Sequence, residues 1–295
     1  MFTDIYSPLQ QLKHFSENQI FVKRDDLIDP YISGNKWRKL KYILAAASEQ
    51  QKNHLVTFGG AYSNHLVATA AACSRKGLKC TAFVRGEKIA CVNNEMLLLC
   101  KLYGMKLIFT DRLSYKHKAS LFEKYFSEDS NAFFVDEGGA SAEAVKGCAE
   151  IIAELPNDID HLFCAAGTGT TAAGLLSGIY QHGLKTTLHV IPVLKGGDFI
   201  ADEILKYTGR NDQLVLHTNF HFGGYAKTTP VLIDFIKKFT AAEGMLIDPV
   251  YTAKMFYAID SLYTDRYFKP TDKIVALHTG GLLGLLGMKD RFNEI

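Results

Sequence analysis

The sequence is short of the features that mark a disulfide scaffold, a zinc site or a surface for binding polyelectrolytes. Its six cysteines, Cys73, Cys80, Cys91, Cys100, Cys148 and Cys164, include no Cys-x-x-Cys pair and have no histidine at metal-ligand spacing, so no metal is expected. They read as buried thiols of a reducing, cytoplasmic compartment. Charge of one sign is lacking too: 33 Lys and Arg against 31 Asp and Glu leave a formal net charge of +2, without a long basic run. Nothing therefore suggests a hold on nucleic acid or on an anionic membrane, and the expected partner is a small molecule. Proline is sparse, and neither a repeat nor a low-complexity linker marks a domain boundary. Met1-Phe2-Thr3-Asp4 lacks the basic-then-apolar pattern of a secretion signal. The stretch between His161 and His182 has no Asp, Glu, Lys or Arg and matches the ~20 residues of a spanning helix. Its middle, Gly167-Thr168-Gly169-Thr170-Thr171, is a tight polar loop, so a strand, loop and helix are expected instead.

Apolar surface is plentiful. With 295 residues, 47% hydrophobic and 22% charged, burial can offset the entropy of ordering the chain, which excludes disorder and allows one large or two modest domains. Short apolar runs alternate with longer amphipathic segments, the βα pattern of a parallel sheet covered on both faces. Strands are expected at 20–22, 54–58, 79–84, 106–109, 132–135, 161–165, 188–192, 245–246 and 273–277. Helices are expected at 36–49, 63–76, 92–103, 114–126, 141–155, 171–181, 230–243 and 252–264. Four strand and helix units between Ala45 and Ala149 could form a small sheet of their own, so the expectation is two domains with the site between them.

The apolar strand from His161 to Ala165 runs into Gly167-Thr168-Gly169-Thr170-Thr171. Glycines let a backbone approach an anion, and the N–H groups opening the next helix point at it, so the segment reads as a phosphate cradle, though such residues also serve plain turns. It also satisfies G-x-G-x-x-A, which raises a nicotinamide dinucleotide. That reading wants an acidic residue at the end of the next strand, where Val193-Leu194-Lys195-Gly196-Gly197 stands and Asp198 comes late.

Lys36 follows a Ser33-Gly34-Asn35 turn at a helix start beside the only tryptophan, Trp37. Most lysines in such a run are solvated, but this one is placed to be partly buried, with an amine free enough to attack a carbonyl. Phe58-Gly59-Gly60-Ala61-Tyr62-Ser63-Asn64-His65 again joins a strand to a helix. Ser63 or Asn64 could be a simple cap; the two glycines before it suit a substrate carboxylate at the helix N-terminus. Further on, Tyr225 sits in Gly223-Gly224-Tyr225-Ala226, Tyr251 and Thr252 in Asp248-Pro249-Val250-Tyr251-Thr252, and Thr279 in His278-Thr279-Gly280-Gly281. A core position is the plain alternative for His278 and for any one tyrosine.

In order and spacing, Gly34-Asn35-Lys36, Ser63-Asn64-His65, Gly167-Thr168-Gly169-Thr170-Thr171, Asp248-Pro249-Val250-Tyr251 and His278-Thr279-Gly280-Gly281 resemble the 1-aminocyclopropane-1-carboxylate deaminase / D-cysteine desulfhydrase family. The resemblance covers about Leu9 to Gly287. It implies a pyridoxal 5'-phosphate enzyme of the tryptophan-synthase-β fold type II, an α/β protein of two three-layer domains with open twisted sheets, acting in the cytoplasm as a homodimer. Residues 1–45 and 150–295 would form the large cofactor domain, with 46–149 inserted as a small α/β domain. Lys36 would carry the cofactor, Asn64 would bond its phenolic oxygen, and Gly167, Thr168, Gly169, Thr170 and Thr171 would hold its phosphate. Ser63, Asn64 and His65 would lie on the substrate side, and Tyr225 and Tyr251 would be the family's paired active-site tyrosines.

Within that family, ring-opening deaminases carry Glu after the tyrosine of Asp-Pro-Val-Tyr and Leu after the histidine before the double glycine. This chain has Thr252 and Thr279 there, as the desulfhydrase-like members have Ser or Thr. A carboxylate favours a protonated pyridine, the strong electron sink that ring opening needs; a neutral hydroxyl does not. Elimination of a good leaving group such as thiolate asks less. Ala253 and Leu282-Leu283-Gly284 depart from the common pattern and would reshape the pocket. The expected activity is β-elimination from a small D-amino acid, D-cysteine first, with 1-aminocyclopropane-1-carboxylate deamination as the alternative and a nicotinamide-dependent oxidoreductase as the more distant one.

Overall fold

The computed structural model describes residues 5–13, 15, 19–87 and 93–292; Cys91, residues 1–4, read above for a secretion signal, and the first residue of the helix expected at 92 lie outside them. Along the chain run β1 (Leu9–Gln11), β2 (Gln19–Lys23), α1 (Asn35–Glu49), β3 (His54–Gly60), α2 (Asn64–Lys76), β4 (Lys79–Arg85), α3 (Glu95–Leu102), β5 (Lys106–Thr110), α4 (Lys118–Phe126) and β6 (Ala132–Val135). There follow α5 (Ala142–Ala153), β7 (His161–Ala166), α6 (Thr170–Gln181), β8 (Thr187–Pro192), α7 (Phe199–Thr208), β9 (Leu214–Leu216), α8 (Pro230–Glu243), α9 (Thr252–Thr264) and β10 (Lys273–Leu277).

The strands form two sheets, a six-stranded one in the order β1-β2-β10-β7-β8-β9 and a four-stranded one in the order β5-β4-β3-β6. Only the edge pair β1 and β2 is antiparallel among them. Parallel strands need both faces covered, so their sequences are apolar at successive positions rather than alternately polar. In β7, Leu162 and Cys164 enter the core made with α5 and α6, while Phe163 and Ala165 enter the opposite core with α8 and α9. In β3, Leu55 faces α1 and α2, whereas Val56 and Phe58 face the cluster that receives Phe122 and Phe126 of α4. Each sheet is thus the middle of three layers.

Close helix contacts bring the N-termini of α1 and α6 together. A Cβ on Gly147 of α5 would lie 2.1 Å from the carbonyl oxygen of Arg38, and one on Gly174 of α6 would lie 2.4 Å from Cys148 Cβ, so backbones meet where only glycine fits. Beside them the buried Arg38 guanidinium joins Asp25 Oδ1 at 2.8 Å and Glu154 Oε2 at 2.8 Å, tying α1 and α5 to the segment after β2.

Some expectations are corrected. Residues 245–246 are irregular, not a strand; Met245 is buried under α9 and the Leu246 carbonyl accepts from His278 Nε2 at 2.8 Å. The segment 114–126 splits into a 3-10 turn, Ser114–Lys116, and α4. The sequence reading missed β1, β9, α7 and the 3-10 run Leu282–Phe292. The charge-free stretch is β7, a loop and α6, and no helix of the described residues is long and apolar enough to cross a membrane. Cys73, Cys80, Cys100, Cys148 and Cys164 are free and buried, and no cluster that could hold a metal occurs among the described residues.

Candidate active site

A cavity of about 630 Å3 opens at the carboxyl ends of β3, β4, β7 and β10. The N-termini of α1, α2, α6 and α9 also reach it, and none of the four carries an acidic residue in its first turn. Helix N-termini present unpaired N–H groups and a positive dipole end, so their convergence favours anionic ligands.

Lys36 reaches the cavity from the first turn of α1. Its turn is fixed by Gly34, whose φ is +59° and where a Cβ would fall 1.9 Å from the Thr279 carbonyl oxygen. Asn35 links two parts of the site: its Nδ2 donates to Thr171 Oγ1 at 2.9 Å, and its Oδ1 accepts from Lys36 Nζ at 2.9 Å. Burial, and next the charge of Lys39, lower the Lys36 pKa to about 7. Its amine is therefore substantially neutral near neutral pH and fit to attack a carbonyl carbon.

The cradle follows β7. Gly169 takes the left-handed conformation at φ +79° to cap α6, Thr168 Oγ1 lies 3.0 Å from Thr170 Oγ1, and Tyr251 packs so closely on Gly167 that a Cβ there would meet its Oη at 3.3 Å. Across the cavity Ser63 occupies the cap position of α2, yet its side chain makes no capping bond, which leaves the hydroxyl available to a ligand. Tyr225 and Tyr251 stand edge to face with ring centroids 6.1 Å apart. Desolvation raises both phenol pKa values, that of Tyr251 further than that of the partly exposed Tyr225, so both remain protonated at neutral pH.

Of the residues singled out in the sequence, Lys36, Ser63, Asn64, His65, Gly167, Thr168, Gly169, Thr171, Tyr225, Tyr251 and Thr279 line the cavity. Thr170 and Thr252 do not. Thr170 is buried beneath the cradle with its hydroxyl on Thr168, and Thr252 is wholly buried, its hydroxyl accepting from Asp248 N at 2.8 Å. The Asp248 carboxylate in turn accepts from the N–H groups of Val250, Tyr251 and Thr252, so this pair fixes the turn that carries Tyr251. The His65 imidazole is turned inward: Nε2 lies 2.7 Å from Thr57 Oγ1, and that hydroxyl donates to Val135 O, so Nε2 carries the proton. Burial first, and then Lys36 and Lys39, hold its pKa well below the usual value and keep the ring neutral. His278 is a satisfied core histidine, bonded to Leu246 O and Gly280 N.

Sequence reasoning missed Arg85 and Glu137, which enter the cavity from the ends of β4 and β6. No local motif marks either one; sheet register puts them there. Lys254 was also missed: wholly buried, it donates to the carbonyls of His221 at 2.9 Å and Gly224 at 2.8 Å and so holds the loop bearing Tyr225.

A nucleophilic amine facing a helix-capped anion cradle is the donor set of a pyridoxal-phosphate site. The family described as pyridoxal-phosphate dependent enzyme matches residues 3–280. The chain is therefore a pyridoxal-phosphate-dependent enzyme. A putative 1-aminocyclopropane-1-carboxylate deaminase of Thermotoga maritima is 30% identical over 311 residues, covering 97% of this chain and 96% of the relative. The mitochondrial bifunctional D-cysteine desulfhydrase/1-aminocyclopropane-1-carboxylate deaminase of Arabidopsis thaliana is 30% identical over 303 residues, covering 94% of this chain and 76% of the relative. A crystal structure of an ACC deaminase homologue superposes with a TM-score of 0.85 at 27% identity, covering 99% of this chain and 94% of the other. The chain belongs to the 1-aminocyclopropane-1-carboxylate deaminase / D-cysteine desulfhydrase family, with the fold type II architecture of its structural neighbours. The dinucleotide reading of Gly167 to Ala172 is set aside by this membership.

Proposed function

We propose that the enzyme is a cytoplasmic lyase for a small D-amino acid, with D-cysteine as first candidate. One water is consumed, and pyruvate, ammonia and hydrogen sulfide are released. The observation that carries this reading is the wall beyond β10, where Thr279 offers a hydroxyl and no carboxylate stands. Among the described residues the only carboxylate lining the cavity is Glu137, on the far side after β6 and 3.5 Å from Lys118. Without a carboxylate to stabilise a positive ring nitrogen, the site suits elimination of a good leaving group better than opening of a carbon ring.

Bound in the cradle, pyridoxal phosphate supplies the electron sink that makes the Cα–H of an amino acid acidic. The residues assigned to hold it are Lys36 and Asn64, the backbone from Gly167 to Thr171, and Thr279 on the ring side; Thr252 acts through Asp248 and Tyr251. In the reaction the Lys36 amine takes the α-proton, which its low pKa allows. The N–H groups opening α2 and the Ser63 hydroxyl hold the substrate carboxylate, with the neutral His65 behind them. Tyr225 or Tyr251, protonated at neutral pH, gives a proton to the departing thiolate.

The names of the relatives favour a second reading, deamination of 1-aminocyclopropane-1-carboxylate to 2-oxobutanoate and ammonia. Assay of the purified holoenzyme on both compounds separates the two. Sulfide and pyruvate from D-cysteine at the higher kcat/KM are expected; 2-oxobutanoate from the cyclic compound with no sulfide would reverse the assignment. A homodimer is the accompanying expectation, to be weighed by sedimentation against the 32.8 kDa chain.

A further inference from the structure

We propose that Arg85 reads a second negative charge on the substrate, so that the site selects an amino acid whose side chain ends in an anionic group. This deepens the lyase reading and rests on it. The register of the four-stranded sheet pairs Arg85 with Gly60. The guanidinium therefore emerges at the same edge as the loop from Gly60 to Asn64, and a Cβ on Gly60 would lie 3.4 Å from its Nη2. Beneath it is the buried ring of Tyr115, whose centroid is 5.4 Å from Arg85 Cζ. An aromatic face under the guanidinium steadies its plane and leaves the N–H edges free, the arrangement suited to a two-pronged grip on a carboxylate or phosphate.

Arg85 has no ion pair among the described residues, and the neighbouring 88–92 sequence contains no acid. Glu137, which could have neutralised it, is paired with Lys118. The other anions expected in the cavity have their own partners. The cofactor phosphate is assigned to the start of α6, and the substrate α-carboxylate to Ser63 and the start of α2. Arg85 is exposed, so beside a neutral thiol side chain its charge stays with solvent, whereas a phosphate, sulfonate or carboxylate at the substrate's far end would pair with it directly. For O-phosphoserine as the representative compound, Lys36 takes the α-proton and the Cβ–O bond breaks with its electron pair leaving on phosphate. Water then supplies the carbonyl oxygen, giving pyruvate, ammonia and phosphate.

Aspartate and asparagine differ by one charge at nearly constant shape, and neither carries a good β-leaving group. Calorimetric titration of the holoenzyme with both, in each enantiomer, measures the recognition directly. In the unmodified protein aspartate is expected to bind about tenfold more tightly than asparagine, as a bidentate charge-assisted pair allows. That ratio should fall to about one in Arg85→Gln and recover in part in Arg85→Lys, with the cofactor absorption band unchanged as the control for folding. Equal affinities in the unmodified protein, or a preference that survives Arg85→Gln, would overturn the proposal. Sulfide release from D-cysteine is scored separately: its absence beside an Arg85-dependent aspartate preference would remove D-cysteine as the substrate and leave the charge recognition standing.

Discussion

Burial decides which side chains of the site are uncharged, and Lys36 shows it most clearly. A lysine pKa near 10.5 would leave almost no free amine at neutral pH, whereas burial and Lys39 draw this one to about 7. In the cofactor-free protein the rate of pyridoxal-phosphate capture, followed by its near-violet band, should rise with pH and level off just above pH 7. A rise that continues toward pH 10 would mean an ordinary lysine. The effect on stability has the opposite sign to that of an ion-paired lysine. The folded pKa is the lower one, so the penalty of burying the charge is full below pH 7 and fades as pH climbs toward 10.5. Lys36, Ser63, Asn64 and the cradle were legible in the sequence because each sits at a glycine-marked junction of strand and helix. Arg85 and Glu137 were not, since each ends a strand without a motif and only the pairing of β4 and β6 with β3 turns them toward the cavity. Thr252 was legible as a position but not as a direction, because its bond to Asp248 follows from the turn before α9.

Among the elements, α5 and α6 set the spacing of the site through their glycines. Gly174→Ala would add up to about 1 kcal/mol of helix propensity. Its Cβ would nevertheless lie 2.4 Å from Cys148 Cβ and 2.7 Å from Val145 O, and forcing packed helices apart costs about 1–3 kcal/mol. The clash outweighs the propensity, so the urea midpoint of Gly174→Ala should fall; a higher midpoint would show that the helices separate freely. A second element-scale feature is the histidine ladder across β7, β8 and the end of β9. Asp272 lies 3.1 Å from His161 Nε2, His161 Nδ1 2.9 Å from His189 Nε2, and His189 Nδ1 2.9 Å from His217 Nε2. His189 lies between two other ring nitrogens, so a neutral His189 donates at one nitrogen and accepts at the other, whereas a second proton on it would require both neighbours to accept. Burial, then His161 and His217, lower the His189 pKa to about 2. The unfolded chain takes up this proton below the ordinary value of 6.5, so the contribution of His189 is complete above that pH and shrinks as pH falls toward 2. His189→Phe should flatten the loss of stability between pH 7 and pH 4 in urea titrations; a slope equal to that of the parent protein would count against it. Most strands were legible from their apolar runs. β1 and β9 were not, because three residues at a sheet edge carry no period, and 245–246 looked like a strand because a buried irregular segment has the same composition.

For the whole molecule, a near-neutral chain concentrates positive ends at one place: helix N-termini from both sheets meet where cofactor and substrate anions are assigned. That convergence is a property of topology and was beyond the reach of local sequence patterns. We read residues 46–149 as a unit inserted in the rest of the chain, a division supported by the pairing of β3 to β6 with one another alone. The apolar face of α1 packs on that unit while Lys36 at its head enters the site, so the helix places the reactive amine where the two sheets face the cavity. The central claim is that Lys36 holds the cofactor and moves the proton. Its most direct test is the near-violet spectrum of the protein and of Lys36→Ala, each incubated with pyridoxal phosphate and then with D-cysteine while sulfide is measured. The account predicts a band that changes as sulfide appears in the parent protein, and neither a protein-linked band nor turnover in the variant. Turnover retained by Lys36→Ala, or no band in the parent protein, would contradict it.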